Sequence, residues 1–153
     1  MKFPVLTRNT RLTMPAAIKI IIVDDHQVVL NSWKELLEKN PRFEVIGLCL
    51  DGQEAINKTI CLSPDIILVD VIMKPLNGFK VTEQIHEKMP EVKIIGMSVN
   101  DQPNYASKMM ELGAMGYLTK TSTLEEINLA INEVYEGKSY LCEEVKKKMD
   151  ART

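Results

Sequence analysis

The chain predicts an α/β fold, with five βα repeats building one doubly wound parallel sheet that carries helices on both faces. Three observations lead there. Short apolar runs rich in Val and Ile alternate with amphipathic stretches from residue 18 onward, most runs stop abruptly at a polar residue, and Pro or Gly follows the helical stretches. A strand covered on both faces reads as a continuous apolar run, because neither side meets water. Repeats in this order imply right-handed crossovers and hence parallel pairing.

The first strand is expected at Ile18 to Val23, closed by Asp24-Asp25. A helix over about residues 26 to 39 follows, in which Val29, Trp33, Leu36 and Leu37 recur at helical spacing while Lys34, Glu35 and Glu38 fall outside. Asn40-Pro41 ends it and Phe43 to Cys49 supplies the second strand. The helix at about 53 to 62 stops before Ser63-Pro64, and Ile66 to Val69 is the third strand, closed by Asp70. The helix at about 77 to 89 ends at Met89-Pro90, and Val92 to Met97 is the fourth strand, closed by Ser98. Gly113 follows the helix at about 103 to 112. Met115 to Thr119 is the fifth strand, closed by Lys120, and Thr123-Leu-Glu-Glu126 has the spacing of a capping box for a helix to about 136.

At 153 residues and 45% hydrophobic the chain suits one domain with a full core. A net charge of -2 leaves neither a polybasic nucleic-acid surface nor an acidic tail. No apolar run approaches the roughly 20 residues that cross a bilayer, and the N-terminus lacks a secretory apolar core. Cys49, Cys61 and Cys142 have neither metal-ligand spacing nor a disulfide-rich context, so they read as reduced thiols in a cytoplasmic protein, with Cys49 in the core. Residues 1–17 are expected to be an N-terminal extension, with Met14 a second candidate start, and 18–137 the folded domain. Residues 138–153 read as a helix tail or the start of a linker, whose Lys146 to Lys148 run is a solvated face.

Polar residues at strand ends in a parallel sheet meet at the carboxyl edge, where open α/β sheets bind ligands. One Asp after a strand is ordinarily a turn or cap residue, but Asp24, Asp25, Asp70, Ser98 and Lys120 end four strands. Three converging carboxylates repel one another unless a hard divalent cation neutralises them, and Mg²⁺ suits carboxylates shared with phosphate oxygens. Lys120 adds a positive charge and Ser98 a hydroxyl donor, the parts that stabilise a transferring phosphoryl group. Asp70, standing between the acid pair and the Ser and Lys, is the expected nucleophile.

The order Val23-Asp24-Asp25-His26, Asp70-Val-Ile-Met73 with Leu76-Asn77-Gly78, Ser98, and Gly113-Ala-Met-Gly-Tyr-Leu-Thr-Lys120 resembles the response-regulator receiver domain of two-component systems over about residues 18 to 137. Asp-Asp-His and Gly137-Lys-Ser-Tyr-Leu141 resemble most the subfamily that precedes a LuxR-type helix-turn-helix. The resemblance implies a flavodoxin-like sheet of order 2-1-3-4-5. It implies that Asp70 accepts phosphate from a sensor histidine kinase, with Lys120 and Ser98 as its catalytic and switch partners and Tyr117 as the switch aromatic. The metal set would be Asp24, Asp25, Asp70 and the main-chain carbonyl of Ile72. The protein would then be a regulator with at most weak autophosphatase activity. Its output or homodimer face would be the fourth helix, fifth strand and fifth helix, and it would reach DNA only through a separate output domain.

Some residues depart from or qualify that pattern. Lys74-Pro75 stands where many receivers have Pro one residue earlier, and Thr121 follows Lys120 where many have a cis-Pro, so a trans bond is expected. Ile72 and Val99 flank the site and cannot orient an attacking water, which favours a long-lived phosphorylated state. Tyr117 has a second reading as a strand-end aromatic packed on the fourth helix, His26 as a helix-start residue bonded to a carboxylate, and His86 is assigned no role. A stand-alone receiver acting by protein contacts is an alternative. Haloacid-dehalogenase-like phosphatases share the nucleophilic Asp, Lys and Mg²⁺ acids, but place a second acid where this chain has Ile72.

Overall fold

Six strands form a parallel sheet in the order 2-1-3-4-5-6: β1 (Ile18–Val23), β2 (Phe43–Cys49), β3 (Ile66–Asp70), β4 (Lys93–Ser98), β5 (Gly116–Thr119) and β6 (Tyr140–Leu141). The helices are α1 (Gln27–Glu38), α2 (Gly52–Leu62), α3 (Gly78–Lys88), α4 (Pro103–Glu111), α5 (Leu124–Tyr135) and α6 (Glu143–Ala151). This computed structural model describes residues 16–151 together with the antiparallel pair Val5–Leu6 and Leu12–Thr13. The rest of the expected N-terminal extension up to residue 15, and the last two residues of the expected tail, lie outside the described residues.

The core follows from the apolar runs. In β1 the residues Ile18, Ile20, Ile21, Ile22 and Val23 are fully buried and Lys19 alone faces water; β3 is buried throughout. Helices cover both faces, α1 beside α5 on one and α2, α3 and α4 in succession on the other. β2 is an edge strand, so Val45, Ile46 and Leu48 are only half-buried. On α1 the inward residues are Leu30, Trp33 and Leu37, while Val29 and Leu36 lie at the margin of the stripe.

The sequence order 2-1-3-4-5 holds with one addition. Residues 138–153, expected as tail or linker, supply β6 on the edge of β5 and the helix α6 packed against α4. The capping box over Thr123 to Glu126 is only half made for a related reason. Thr123 Oγ1 accepts from Glu126 N at 3.1 Å, but the Glu126 carboxylate turns to Tyr140 Oη at 3.0 Å and Glu143 N at 2.8 Å. Asp51 and Asn77 cap α2 and α3, their side chains accepting from Glu54 N and Lys80 N. Cys49 and Cys142 are buried, Cys61 is exposed, and all three are free. Among the described residues no helix is long and apolar enough to cross a membrane.

Candidate functional site

Register places the site. β1 pairs Val23 with Val69, β3 pairs Asp70 with Met97, and β4 pairs Ser98 with Thr119, so the polar residues after these strands meet along one edge. Asp24 is wholly buried and Asp70 nearly so. Lys120 reaches across both, its Nζ 2.6 Å from Asp24 Oδ2 and 3.1 Å from Asp70 Oδ2. The second oxygens accept from backbone N–H groups, Asp24 Oδ1 from His26 at 2.9 Å and Asp70 Oδ1 from Ile72 at 3.1 Å. Gly78 lets α3 start against this edge: its N donates to Val71 O at 2.9 Å, and a Cβ there would overlap the Asp70 carbonyl oxygen.

The charges do not balance. Burial, countered by Lys120 and reinforced by the Asp24 charge, pushes the Asp70 carboxyl up to about 6. Burial works against the Lys120 charge too, but its hydrogen bond to Asp24 and the charge of Asp70 outweigh this, and its pKa is raised. Asp25 Oδ1 is shielded from water and has no hydrogen-bond partner, although His26 Nδ1 lies 2.9 Å away. Ligand atoms of Asp24, Asp25, His26 and Asp70 all lie within 4.8 Å of one another. An orphaned carboxylate oxygen among oxygen donors with a single ammonium between them fits a hard divalent cation. The His26 side chain does not cap α1; its ring sits 3.1 Å from Asp24 Oδ1.

Ser98 is buried at the next strand end, its Oγ accepting from Asn100 N at 3.0 Å, and its carbonyl receives Lys120 N at 2.9 Å. Residues 20–132 match the response regulator receiver domain. The chain belongs to the response-regulator receiver family. The receiver is 36% identical over 125 residues to oxygen regulatory protein NreC of Staphylococcus epidermidis, and 33% identical over 124 residues to transcriptional regulatory protein DegU of Brevibacillus brevis. Both matches cover 81% of this chain but only 57% and 52% of those proteins, so the chain spans about half the length of these relatives. A two-component response regulator of the LuxR family from an Aurantimonas species has a solved structure that superposes with a TM-score of 0.86 at 26% identity, covering 90% of this chain and 98% of the other.

Tyr117 of the receiver is fully buried, and its hydroxyl donates to Asn100 O at 2.7 Å; burial pushes its pKa up to about 12. Space for the ring comes from Gly96, its register partner on β4, where an added Cβ would stand 3.2 Å from Tyr117 Cδ2 and 2.8 Å from Met109 Cε of α4. Tyr117 therefore sits beside the fourth helix, and its hydroxyl is bonded to the loop after Ser98. Ile72 and Val99, which follow Asp70 and Ser98 in the chain, are exposed. Lys74 is exposed, the Lys74–Pro75 bond is cis, and Lys120–Thr121 is trans as expected.

Asn100 escaped the sequence reading. Its N–H holds Ser98, its carbonyl holds Tyr117, and its Oδ1 accepts from Gln102 N at 2.8 Å. An Asn two residues past a strand reads as a turn residue, and nothing local marks it as a junction. Thr119 and Asp101 were missed likewise, because their partners, Glu144 and Lys148, lie in a segment expected to be a tail.

Proposed function

We propose that this receiver is a phosphorylation-dependent signalling switch whose Asp70 accepts a phosphoryl group from the phosphohistidine of a sensor histidine kinase. The observation that carries the reading is the buried Asp70 carboxylate held 3.1 Å from Lys120 Nζ in an acid cluster with one orphaned oxygen. In the transfer an Asp70 oxygen forms a P–O bond as the donor's P–N bond breaks. The electron pair goes to the ring nitrogen, and the imidazole leaves neutral because its other nitrogen already carries a proton. Lys120, already beside the acceptor, pairs with the phosphoryl oxygens, and the Ser98 hydroxyl turns to donate to one of them. Asp24, Asp25, Asp70 and the Ile72 carbonyl would hold Mg²⁺, which supplies the positive charge that lets carboxylates and phosphate share one site.

The receiver stores the phosphoryl group and loses it only slowly, with at most weak autophosphatase activity. Ile72 and Val99 are exposed and carry no group that orients water. Stored phosphate biases the face built by α4, β5 and α5, which serves a homodimer or an output domain. The similarity to a protein named as a transcriptional regulator supports a DNA-binding output domain.

Incubation with acetyl phosphate and Mg²⁺, followed by mass spectrometry of the Asp70 peptide, tests the reading. An acyl phosphate on Asp70 that disappears in Asp70→Asn is expected, and an unmodified Asp70 overturns it. Ile72→Asn is expected to shorten the acyl-phosphate lifetime; an equal or longer lifetime in the variant overturns the storage role of Ile72.

A further inference from the structure

Two polar residues of α6 reach the edge that carries Ser98: Lys148 meets the loop after β4, and Glu144 meets Thr119 at the end of β5. β6 runs parallel to β5, pairing Gly116 with Tyr140 and Tyr117 with Leu141. Just beyond it Cys142 and Val145 are fully buried, and these two side chains anchor the segment. Met149 packs half-buried against the core further along α6, and two side chains of the helix make polar contacts. Lys148 Nζ lies 2.7 Å from Asp101 Oδ1, and Thr119 Oγ1 donates to Glu144 Oε2 at 3.1 Å. Asp101 is the residue after Asn100, and Thr119 is the residue before Lys120. Met149 borders an open groove with Pro103 and Ser107 of α4, so this end of α6 lies on α4 without filling the surface beneath it.

We infer that α6 is an intramolecular latch on the switch loop, held by Lys148–Asp101 and Glu144–Thr119 and released when Ser98 turns toward a phosphoryl group on Asp70. The inference rests on the phosphoacceptor reading above. Ser98 Oγ is tied to Asn100 N at 3.0 Å, and Asn100 O holds the Tyr117 hydroxyl at 2.7 Å. A Ser98 hydroxyl redirected to phosphate gives up that geometry, and residues 99–102 must re-form with Asp101 among them. Partly exposed ion pairs contribute little each and depend on distance, so a modest shift of Asp101 suffices to free Lys148. The Lys148 contact, followed by one with Glu144, holds the Asp101 carboxyl below its ordinary value. Coupling is reciprocal: a phosphoryl group that loosens α6 binds a site that loosening α6 makes easier to phosphorylate. An element with few buried side chains is the kind that opens locally.

Hydrogen exchange on the whole chain reads the latch at the amides of α6. In the unphosphorylated protein, Lys148→Met is expected to speed exchange across residues 146–151 by about two- to fivefold. The charge swap Asp101→Lys with Lys148→Asp is expected to restore protection. Unchanged exchange in Lys148→Met overturns the latch whether or not Asp70 can be phosphorylated. With acetyl phosphate and Mg²⁺, protein shown by mass spectrometry to carry phosphate on Asp70 is expected to exchange α6 as fast as Lys148→Met, and Asp70→Asn in the same mixture to show no change. Protection that persists on verified acyl phosphate overturns the latch and leaves the phosphoacceptor reading standing. Failure of Asp70 to become phosphorylated overturns that reading, and with it the phosphate-driven release.

Discussion

The two ends of the sheet treat charge in opposite ways. At the amino ends of the strands every named polar group finds a partner near water. Asp65 Oδ2 accepts from Lys19 N at 2.8 Å, and Lys93 Nζ donates to Tyr135 O at 2.7 Å. Arg42 and Lys93 also stand over the Tyr135 ring, 5.1 and 5.4 Å from its centroid. At the carboxyl ends, Asp24 and Asp70 are buried around one ammonium, and Asp25 Oδ1 has no hydrogen-bond partner. One end is a finished structure; the other carries unbalanced charge that a cation and a phosphoryl group would complete. Burial beside the Asp24 charge shifts the Asp70 carboxyl upward, and groups perturbed in this way cluster at functional sites.

The contrast can be broken most sharply at Lys120. Lys120→Met leaves Asp24 and Asp70 facing each other without a counterion, and is expected to lower stability by about 2–3 kcal/mol in urea denaturation. That is the low side for breaking a buried pair, because the Lys120 side chain keeps 16% exposure. Adding Mg²⁺ is expected to recover part of the loss. Gly78→Ala is expected to cost about 1–3 kcal/mol and to slow acetyl-phosphate labelling of Asp70, since the new Cβ meets the Asp70 carbonyl. A variant as stable and as readily labelled as the parent would remove Gly78 from the site.

Asp25→Asn has the opposite sign. It relieves repulsion at the crowded end, so the metal-free protein is expected to gain about 1 kcal/mol and melt about 2–4 °C higher. The variant should show no further stabilisation on adding Mg²⁺, which separates charge relief from packing. The smallest effect belongs to the finished end. Arg42→Ala removes one cation over Tyr135 and a 3.4 Å bond to Asn132, for about 0.5–1 kcal/mol, with phosphorylation unchanged. An Arg42→Ala protein that failed to label on Asp70 would erase the distinction between the two ends.

How far the site could be read in advance differed residue by residue. Asp24, Asp70, Ser98 and Lys120 were legible because each interrupts an apolar run, and strand ends in a parallel sheet share an edge. Tyr117 was legible only through family resemblance. Asn100, Asp101 and Thr119 were not legible, since Asn100 acts through its own backbone carbonyl, which accepts from the Tyr117 hydroxyl, and the partners of Asp101 and Thr119 are two side chains in α6. β6 was missed because Tyr140-Leu141 is two residues long, too short for any periodicity to register.

The apolar runs, their polar stops and the Pro and Gly punctuation by themselves determined the layered α/β fold and the set of groups at its carboxyl edge, because burial on both faces leaves little choice of residue within a central strand. Only the tertiary structure decided the pairings: Lys120 with Asp24 across 96 residues, Glu126 with β6 instead of its own helix start, and Lys148 with Asp101. Those contacts depend on strand order and register, which bring together side chains that no local pattern relates.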